Sequence, residues 1–436
     1  MSKKLQNFSI VLIILALIGS IVYFNFGSKI KNEITEKTES GTLVKLAKEI
    51  ISGEKTFLVL FQNNMELRPG GGYIGSFAII KTENGKIKSY EIHDTSNFDG
   101  RIPDNNSMPY PMKKVFRIDA WKLRDSNWSP DFPTNAKQAL DFYYQGQGQE
   151  NFDGVIAVNA AVLDKMLEST GSIELADYGK TFEAGTALVE LEKQVEVDFY
   201  QQDVEVGDRK NVMSEFLDEL LKKAAQLPKL DKLKLAKNLV GELDNKNIQL
   251  YFADEKLEQL ADEADWSGKA DQNWDGDYLL AVDANIGAYK SDYFIKRQME
   301  YSVDMTGENP QAVLKITYTH TGVNKDWMTR DYLTYLRVYL PAGTHVNEFT
   351  DGDDVAYGEE LGKKFIGGFV KVPLNSTKTI EIKYTLPQEL KNKDYQLKIQ
   401  KQSGSGEVPF TADVKLSNGE VKHFEEKLDG DEVLVD

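Results

Sequence analysis

The sequence predicts an N-terminal transmembrane helix, then an α/β domain with a mixed sheet flanked by helices, then a C-terminal all-β sandwich of immunoglobulin-like architecture. Three observations predict it. Phe8 to Phe26 is an apolar run without a charge. Between Glu54 and Asn285, strand-like runs alternate with amphipathic helical ones. Beyond that point the helical period gives way to short runs rich in β-branched and aromatic residues. The expected boundaries are a cytoplasmic tail over 1–7, an anchor over 8–26, a stalk over 27–53, the α/β domain over 54–285 and the sandwich over 286–436. A chain of 436 residues is long enough to give both domains a core.

Charge and composition remove several function classes. A net charge of -17 repels phosphate backbones, so nucleic acid is not an expected partner. Any anion site must be a local cationic pocket inside an acidic whole. The chain has no cysteine, which excludes disulfides, thiolate metal sites and cysteine nucleophiles. Its four histidines, His93, His320, His345 and His423, are scattered without ligand spacing.

The run Phe8 to Phe26 has the length of one bilayer crossing as a helix. Lys3 and Lys4 precede it, and the very short tail favours a cytoplasmic start. No small-x-small cleavage site closes the run, so it reads as an uncleaved anchor with the remaining chain extracytoplasmic. Leu43, Ala47 and Ile50 then lie at helical spacing in the stalk.

The α/β domain opens with Phe57 to Phe61 and Tyr73 to Ile80, two strand-like runs joined by a polar loop. The loop carries Glu66, Arg68, Pro69 and the glycines Gly70, Gly71 and Gly72. Glycines there let backbone N–H groups approach a ligand, or allow positive φ in a turn. Arg68 sets a permanent cation beside them, suited to a phosphate or a carboxylate. This is not a Walker loop, because no Gly-Lys-Ser/Thr follows and no helix opens after it. The competing reading is a tight hairpin with a structural arginine.

Lys86 to His93 reads as a third strand behind an Asn84-Gly85 turn. A long irregular stretch, Asp94 to Pro133, follows, and loops of this length inside a domain are functional or disordered. Trp121, Trp128 and Phe132 supply apolar area to pin it down, and Arg124, Asp125 and Asp131 are interleaved with them. The stretch reads either as a site wall with an Arg/Asp pair or as a surface loop held by ion pairs. Thr134 to Tyr144 reads as a helix with Thr134 as N-cap, Asp153 to Val158 as a buried strand, and Ala160 to Ser169 as a helix closed by Gly171. Thr186 to Tyr200 (with apolar Leu188, Leu191 and Val195), Asn211 to Leu227 and Lys229 to Leu243 are further helices. Arg209 and Lys210 stand at the start of the second of these, where the helix dipole disfavours cations. They read either as an anion site at a helix start or as solvated charge. Asn247 to Phe252 and Asp277 to Val282 are candidate strands around a helix, Glu255 to Ala264. Asp271 to Gly276 has the opening spacing of a calcium loop, but Val282 stands where its closing Glu belongs, so it reads as a polar turn.

Seven or eight short strands between Tyr293 and Glu426, with Gly, Pro, Asn and Asp in the turns, make up the sandwich. Such a domain is a spacer or a binding module.

Together, NNMELRPGGGYIGS (Asn63 to Ser76), LRDSNWSPDFP (Leu123 to Pro133), DGVIAVN (Asp153 to Asn159), ESTGSI (Glu168 to Ile173) and GDYLLAVDANIGAYKSDYFI (Gly276 to Ile295) resemble the bacterial domain of unknown function 4012 family. More distantly, the order of parts is similar to the LytR–CpsA–Psr phosphotransferases. That resemblance implies a LytR–CpsA–Psr-like fold for the α/β domain and an envelope protein that binds a polyprenyl-pyrophosphate-linked glycopolymer and transfers it to the cell wall. It implies Arg68, Arg124, Arg209 and Lys210 on the pyrophosphate, with Asp125 or Asp131 holding a magnesium ion or acting as base. Arg209-Lys210 stands where that family has two spaced arginines and two glutamines. Arg124-Asp125 comes well after the third strand, where that family's Arg-Asp ends a strand. The alternative is a non-enzymatic surface protein that binds polysaccharide or protein partners.

Overall fold

The first hairpin is longer than its apolar runs. Strand β1 (Glu54–Arg68) and strand β2 (Gly71–Glu83) pair antiparallel all the way to Arg68 opposite Gly71. The polar stretch read as a loop is therefore strand: its backbone pairs with β2, which its side-chain polarity does not reveal. The register slips between Phe61 and Gln62 and again between Asn63 and Leu67. Bulges of this kind re-aim side chains, and here they set Glu66 and Arg68 at the hairpin end. The structure, a computed structural model, describes residues 40–201, 209 and 211–435. The expected anchor over 8–26 lies outside them, and among the described residues no helix is long and apolar enough to cross a membrane.

Strand β3 (Lys86–Asp94) follows the Asn84-Gly85 turn, where both residues take positive φ. Strand β4 (Gly154–Asn159) lies parallel to β1, and strand β7 (Ile248–Phe252) lies antiparallel to β4, giving the mixed order β3-β2-β1-β4-β7. The small hairpin β5 (Ile173–Leu175) and β6 (Lys180–Phe182) stands apart.

Both faces of this sheet are covered, so β1 buries side chains on both sides. Phe57 and Val59 face helices α1 (Ser40–Ile51), α5 (Ala161–Thr170), α6 (Ala187–Glu196), α7 (Asn211–Gln226), α8 (Lys229–Asp244) and α9 (Glu255–Glu263). Leu58 and Leu60 face α2 (Thr95–Asp99), α4 (Phe132–Gln145) and the turn at Leu123. Helix α4 starts two residues earlier than expected. Its N-cap is Asp131, which accepts from the Thr134 N–H at 3.1 Å, and Thr134 sits inside the first turn.

The C-terminal part holds two six-stranded sheets around one core. The first runs β12 (His345–Thr350), β15 (Ser376–Thr385), β10 (Gln311–His320), β9 (Ile295–Asp304), β17 (Val408–Lys415), β18 (Val421–Leu428). The second runs β13 (Asp353–Glu360), β14 (Lys363–Val372), β11 (Tyr332–Leu340), β8 (Asp277–Asn285), β16 (Gln396–Ile399), β19 (Glu432–Val435). The strand starting at Asp277 thus belongs to the middle of this sheet and not to the α/β domain. The reason is pairing: β8 bonds β11 on one side and β16 on the other.

Strands β9 and β10 alternate buried and exposed, but β8 and β11 are buried almost throughout. Trp274 and Phe365 cover Tyr278, Leu280, Val282 and Tyr339, and the irregular stretch of the first domain covers the rest. Helix α3 (Tyr110–Phe116) and Trp128 cover the outer face of the second sheet, packing with Met108 and Met112 on Ala284, Ile286, Tyr335 and Phe369. Arg337 reaches from β11 to lie 4.6 Å over the Trp128 ring. The tryptophan-rich segment is therefore an inter-domain seam at Trp128 and a site wall only at Arg124-Asp125.

Candidate functional site

A cleft of about 930 Å³ opens at the carboxyl ends of the parallel strands β1 and β4. In α/β sheets that edge is where ligands bind. Its long wall is apolar: Val158 from β4, Val162, Leu163 and Met166 from α5, Leu188, Leu191 and Val195 from α6, and Met213, Phe216 and Leu217 from α7. Leu188, Leu191 and Val195 are the residues whose helical spacing marked the apolar face of α6.

The other end is polar and charged, lined by Glu66, Arg68, Tyr73, Ser76, Asp94, Asn97, Arg124 and Asp125. Arg68 is its buried centre, 2% exposed. Its Nε donates to Asp125 at 3.0 Å, its Nη2 to Glu66 at 2.8 Å, and its Nη1 to the Asn285 carbonyl at 2.7 Å. Burial alone would lower its pKa; the charges of Glu66 and Asp125 outweigh that and raise it. Arg124 lies beside it with Nε 3.2 Å from Asp99 and 3.9 Å from Asp125. Its side chain is 37% exposed. Burial pushes the Asp99 carboxyl up to about 7, with Arg124 holding it back and Asp125 adding to the rise. Burial likewise raises the Tyr73 hydroxyl.

The second domain closes one side of the mouth with Ala288, Tyr289, Lys290 and Trp327. Lys290 pairs with Glu192 of α6 at 3.2 Å. Its pKa is lowered by burial but raised on balance by Glu192, Glu196 and Glu66.

Of the residues expected in the site, Arg68, Arg124 and Asp125 come together. Arg209 sits nearby, 3.5 Å from Glu196, itself a lining residue. Lys210 lies outside the described residues. Asp131 does not join them: its carboxylate is buried, caps α4 and accepts from the Ala270 N–H at 3.0 Å, which makes it a structural group. Gly70, Gly71 and Gly72 do not line the cleft. They allow close packing: a Cβ on Gly72 would stand 2.2 Å from the Asn63 carbonyl carbon, and Gly71 has a φ of +131°. The hairpin reading of that loop is the one the geometry supports. Tyr73, Lys290 and Trp327 were not singled out from the sequence. Tyr73 follows the glycines directly, but the other two reach the cleft only through the docking of the second domain.

Charges at the mouth are matched within the protein. Arg68 faces Glu66 and Asp125, Arg124 faces Asp99, Lys290 faces Glu192, and Arg209 faces Glu196. Among the described residues no group of three or more His, Asp or Glu is placed to hold a metal. Glu66 and Asp125 already serve Arg68, so the residues present do not make a magnesium site.

Comparison with curated proteins finds no match. Among solved structures the chain is similar to protein gbs0355 from Streptococcus agalactiae, at 16% identity over 51% of this chain and 76% of that one, with a TM-score of 0.32. It is similar to Lin1025 from Listeria innocua at 13% identity over 49% and 79%, TM-score 0.27, and to TagV from B. subtilis at 14% identity over 50% and 80%, TM-score 0.26. Strand β1 through most of helix α6, which carry the centre of the sheet and one wall of the cleft, fall within residues 52–195, and that stretch matches the family model described as protein of unknown function (DUF4012).

Proposed function

We propose that this protein binds a polyprenyl phosphate or pyrophosphate carrier lipid at the extracytoplasmic face of a cell membrane, held there by its N-terminal segment. One observation carries the reading: a single cleft joins a long apolar wall to a mouth with guanidinium groups. An amphiphile with an anionic head is the ligand class that uses both ends. The volume lies near the top of the roughly 300–1,000 Å³ of small-molecule sites. The isoprenoid tail lies along α5, α6 and α7, and the phosphate lies at Arg124, the more accessible of the two buried-end arginines. Arg68 fixes the mouth from below. The β-sandwich, read from the sequence as immunoglobulin-like, serves as its wall.

Transfer of the carried glycopolymer to the cell wall is the further step the family resemblance implies, with Asp125 the carboxylate shared between Arg68 and Arg124. Phosphoryl transfer needs surplus positive charge at the phosphate. Here each cation already faces a carboxylate, which favours carriage of the lipid over turnover. The experiment is lipid mass spectrometry on the full-length protein extracted from membranes in mild detergent. Polyprenyl phosphates co-purify with wild type, and Arg124→Ala and Leu191→Trp each reduce them at least fivefold. A folded wild type that neither carries nor takes up such a lipid overturns the reading.

A further inference from the structure

The second domain does more than cover a seam, because four of its residues line the mouth of the cleft. We infer that Tyr289 and Trp327 of this domain form a subsite for the sugar attached to the carrier lipid's phosphate. The inference rests on the carrier-lipid reading and names the part of the ligand that reading leaves unassigned.

The subsite is built in place. Asn285 ends β8, donates from Nδ2 to the Tyr289 carbonyl at 2.9 Å and to Asp292 at 2.8 Å, and its own carbonyl accepts from Arg68. Asp292 also accepts from the Leu67 N–H at 3.0 Å. The turn that presents Tyr289 and Lys290 is thus tied to the bulged end of β1 by backbone and buried charge together. Trp327 is presented by a second turn, in which Asp326 Oδ1 accepts from the Met328 and Thr329 N–H groups, both at 2.8 Å. Arg330 lies 4.7 Å over the Tyr289 ring, and Lys290 lies 6.0 Å from the centre of the Trp327 ring. Both aromatic residues line the cleft, and neither is fully buried.

A sugar fits this chemistry better than more lipid does. The face of an indole or phenol ring carries negative charge density, which attracts the weakly positive C–H face of a pyranose. Hydroxyl groups around that face need donors and acceptors within the cleft. Ser76, Asp94, Asn97, Glu192, Asn211 and Ser214 line the same cleft. Lys290 also feels the charge of Glu66, the partner of Arg68, so the aromatic wall stands within electrostatic reach of the headgroup end.

The test compares two ligands on full-length protein in detergent: bare polyprenyl pyrophosphate, and the same lipid carrying a disaccharide. Wild type binds the sugar-linked lipid at least tenfold tighter. Trp327→Ala brings the two affinities within about twofold of each other, and Trp327→Tyr, which keeps an aromatic face, retains most of the preference. Wild type binding both lipids equally, or Trp327→Ala keeping the full preference, overturns the sugar subsite and leaves carrier binding standing. Wild type binding neither lipid overturns carrier binding and this inference with it.

Discussion

Arg68 shows how a residue legible as special in the sequence acquires its meaning from distant partners. Its place beside three glycines marked it as a cation at a turn. Asp125, Asn285 and the turn at Asp292 lie far off in sequence, the first two by 57 and 217 residues, and periodicity carries no information at that range. Arg68 is a keystone more than a ligand group. Arg68→Ala leaves two buried carboxylates without their partner and is expected to lower stability by about 3–5 kcal/mol. Urea unfolding measures it, and a loss under ~1 kcal/mol would show that the knot is dispensable. Asp277 is a second buried group the sequence did not flag. It lies fully inside the sandwich and accepts from Tyr301 at 2.7 Å and Tyr395 at 2.6 Å. Burial raises its carboxyl from 3.8 to about 6, with the two tyrosines restraining the rise. The folded chain keeps this proton where the unfolded chain has lost it. Its contribution is therefore full below about pH 4 and is lost as pH rises to about 6. Thermal melts of wild type and Asp277→Asn between pH 4 and 7 are expected to differ in slope, the wild type losing more Tm with rising pH. Parallel slopes would contradict the account.

Most elements were legible because their faces repeat at 3.6 or 2 residues. The helices over α4 to α9 fall where the helical period puts them, strand β3 where its Asn-Gly turn puts it, and strand β4 where an unbroken apolar run does. The misses share a cause. Polar residues from Gln62 to Arg68 look like a loop, but β2 supplies their backbone partners across a bulged register. The cap of α4 moved from Thr134 to Asp131 because the aspartate satisfies both the helix start and Ala270. The glycines where β1 gives way to β2 suit either a ligand or a turn, and space decides between them. Gly72→Ala places a methyl against the Asn63 backbone, which cannot rotate away as a side chain would. It is expected to cost at least ~2 kcal/mol in chemical unfolding, and a neutral result would mean that the hairpin end is looser than its geometry. The apolar faces of α6 and α7 were legible as faces. That they also line a cleft was not, since a face packed on a core and a face packed on a ligand share one pattern.

At the scale of the molecule, the division into an α/β part and a β-rich part was legible from the change of period. Their union was not. Strand β8 sits in the second sheet, the tryptophan segment covers that sheet's outer face, and the mouth of the cleft is completed by Lys290 and Trp327. None of these contacts has a local signature. The central claim is that a carrier lipid's tail occupies the cleft between the sheet and helices α5, α6 and α7. It is tested most directly with a polyprenyl phosphate analogue bearing a photoactivatable group at the tail end, cross-linked to the full-length protein and mapped by peptide mass spectrometry. The account predicts labels on Met166, Leu191, Val195 or Phe216, competed away by unlabelled polyprenyl phosphate. Labels confined to the β-sandwich, or labels on those residues that unlabelled lipid does not compete away, would contradict it.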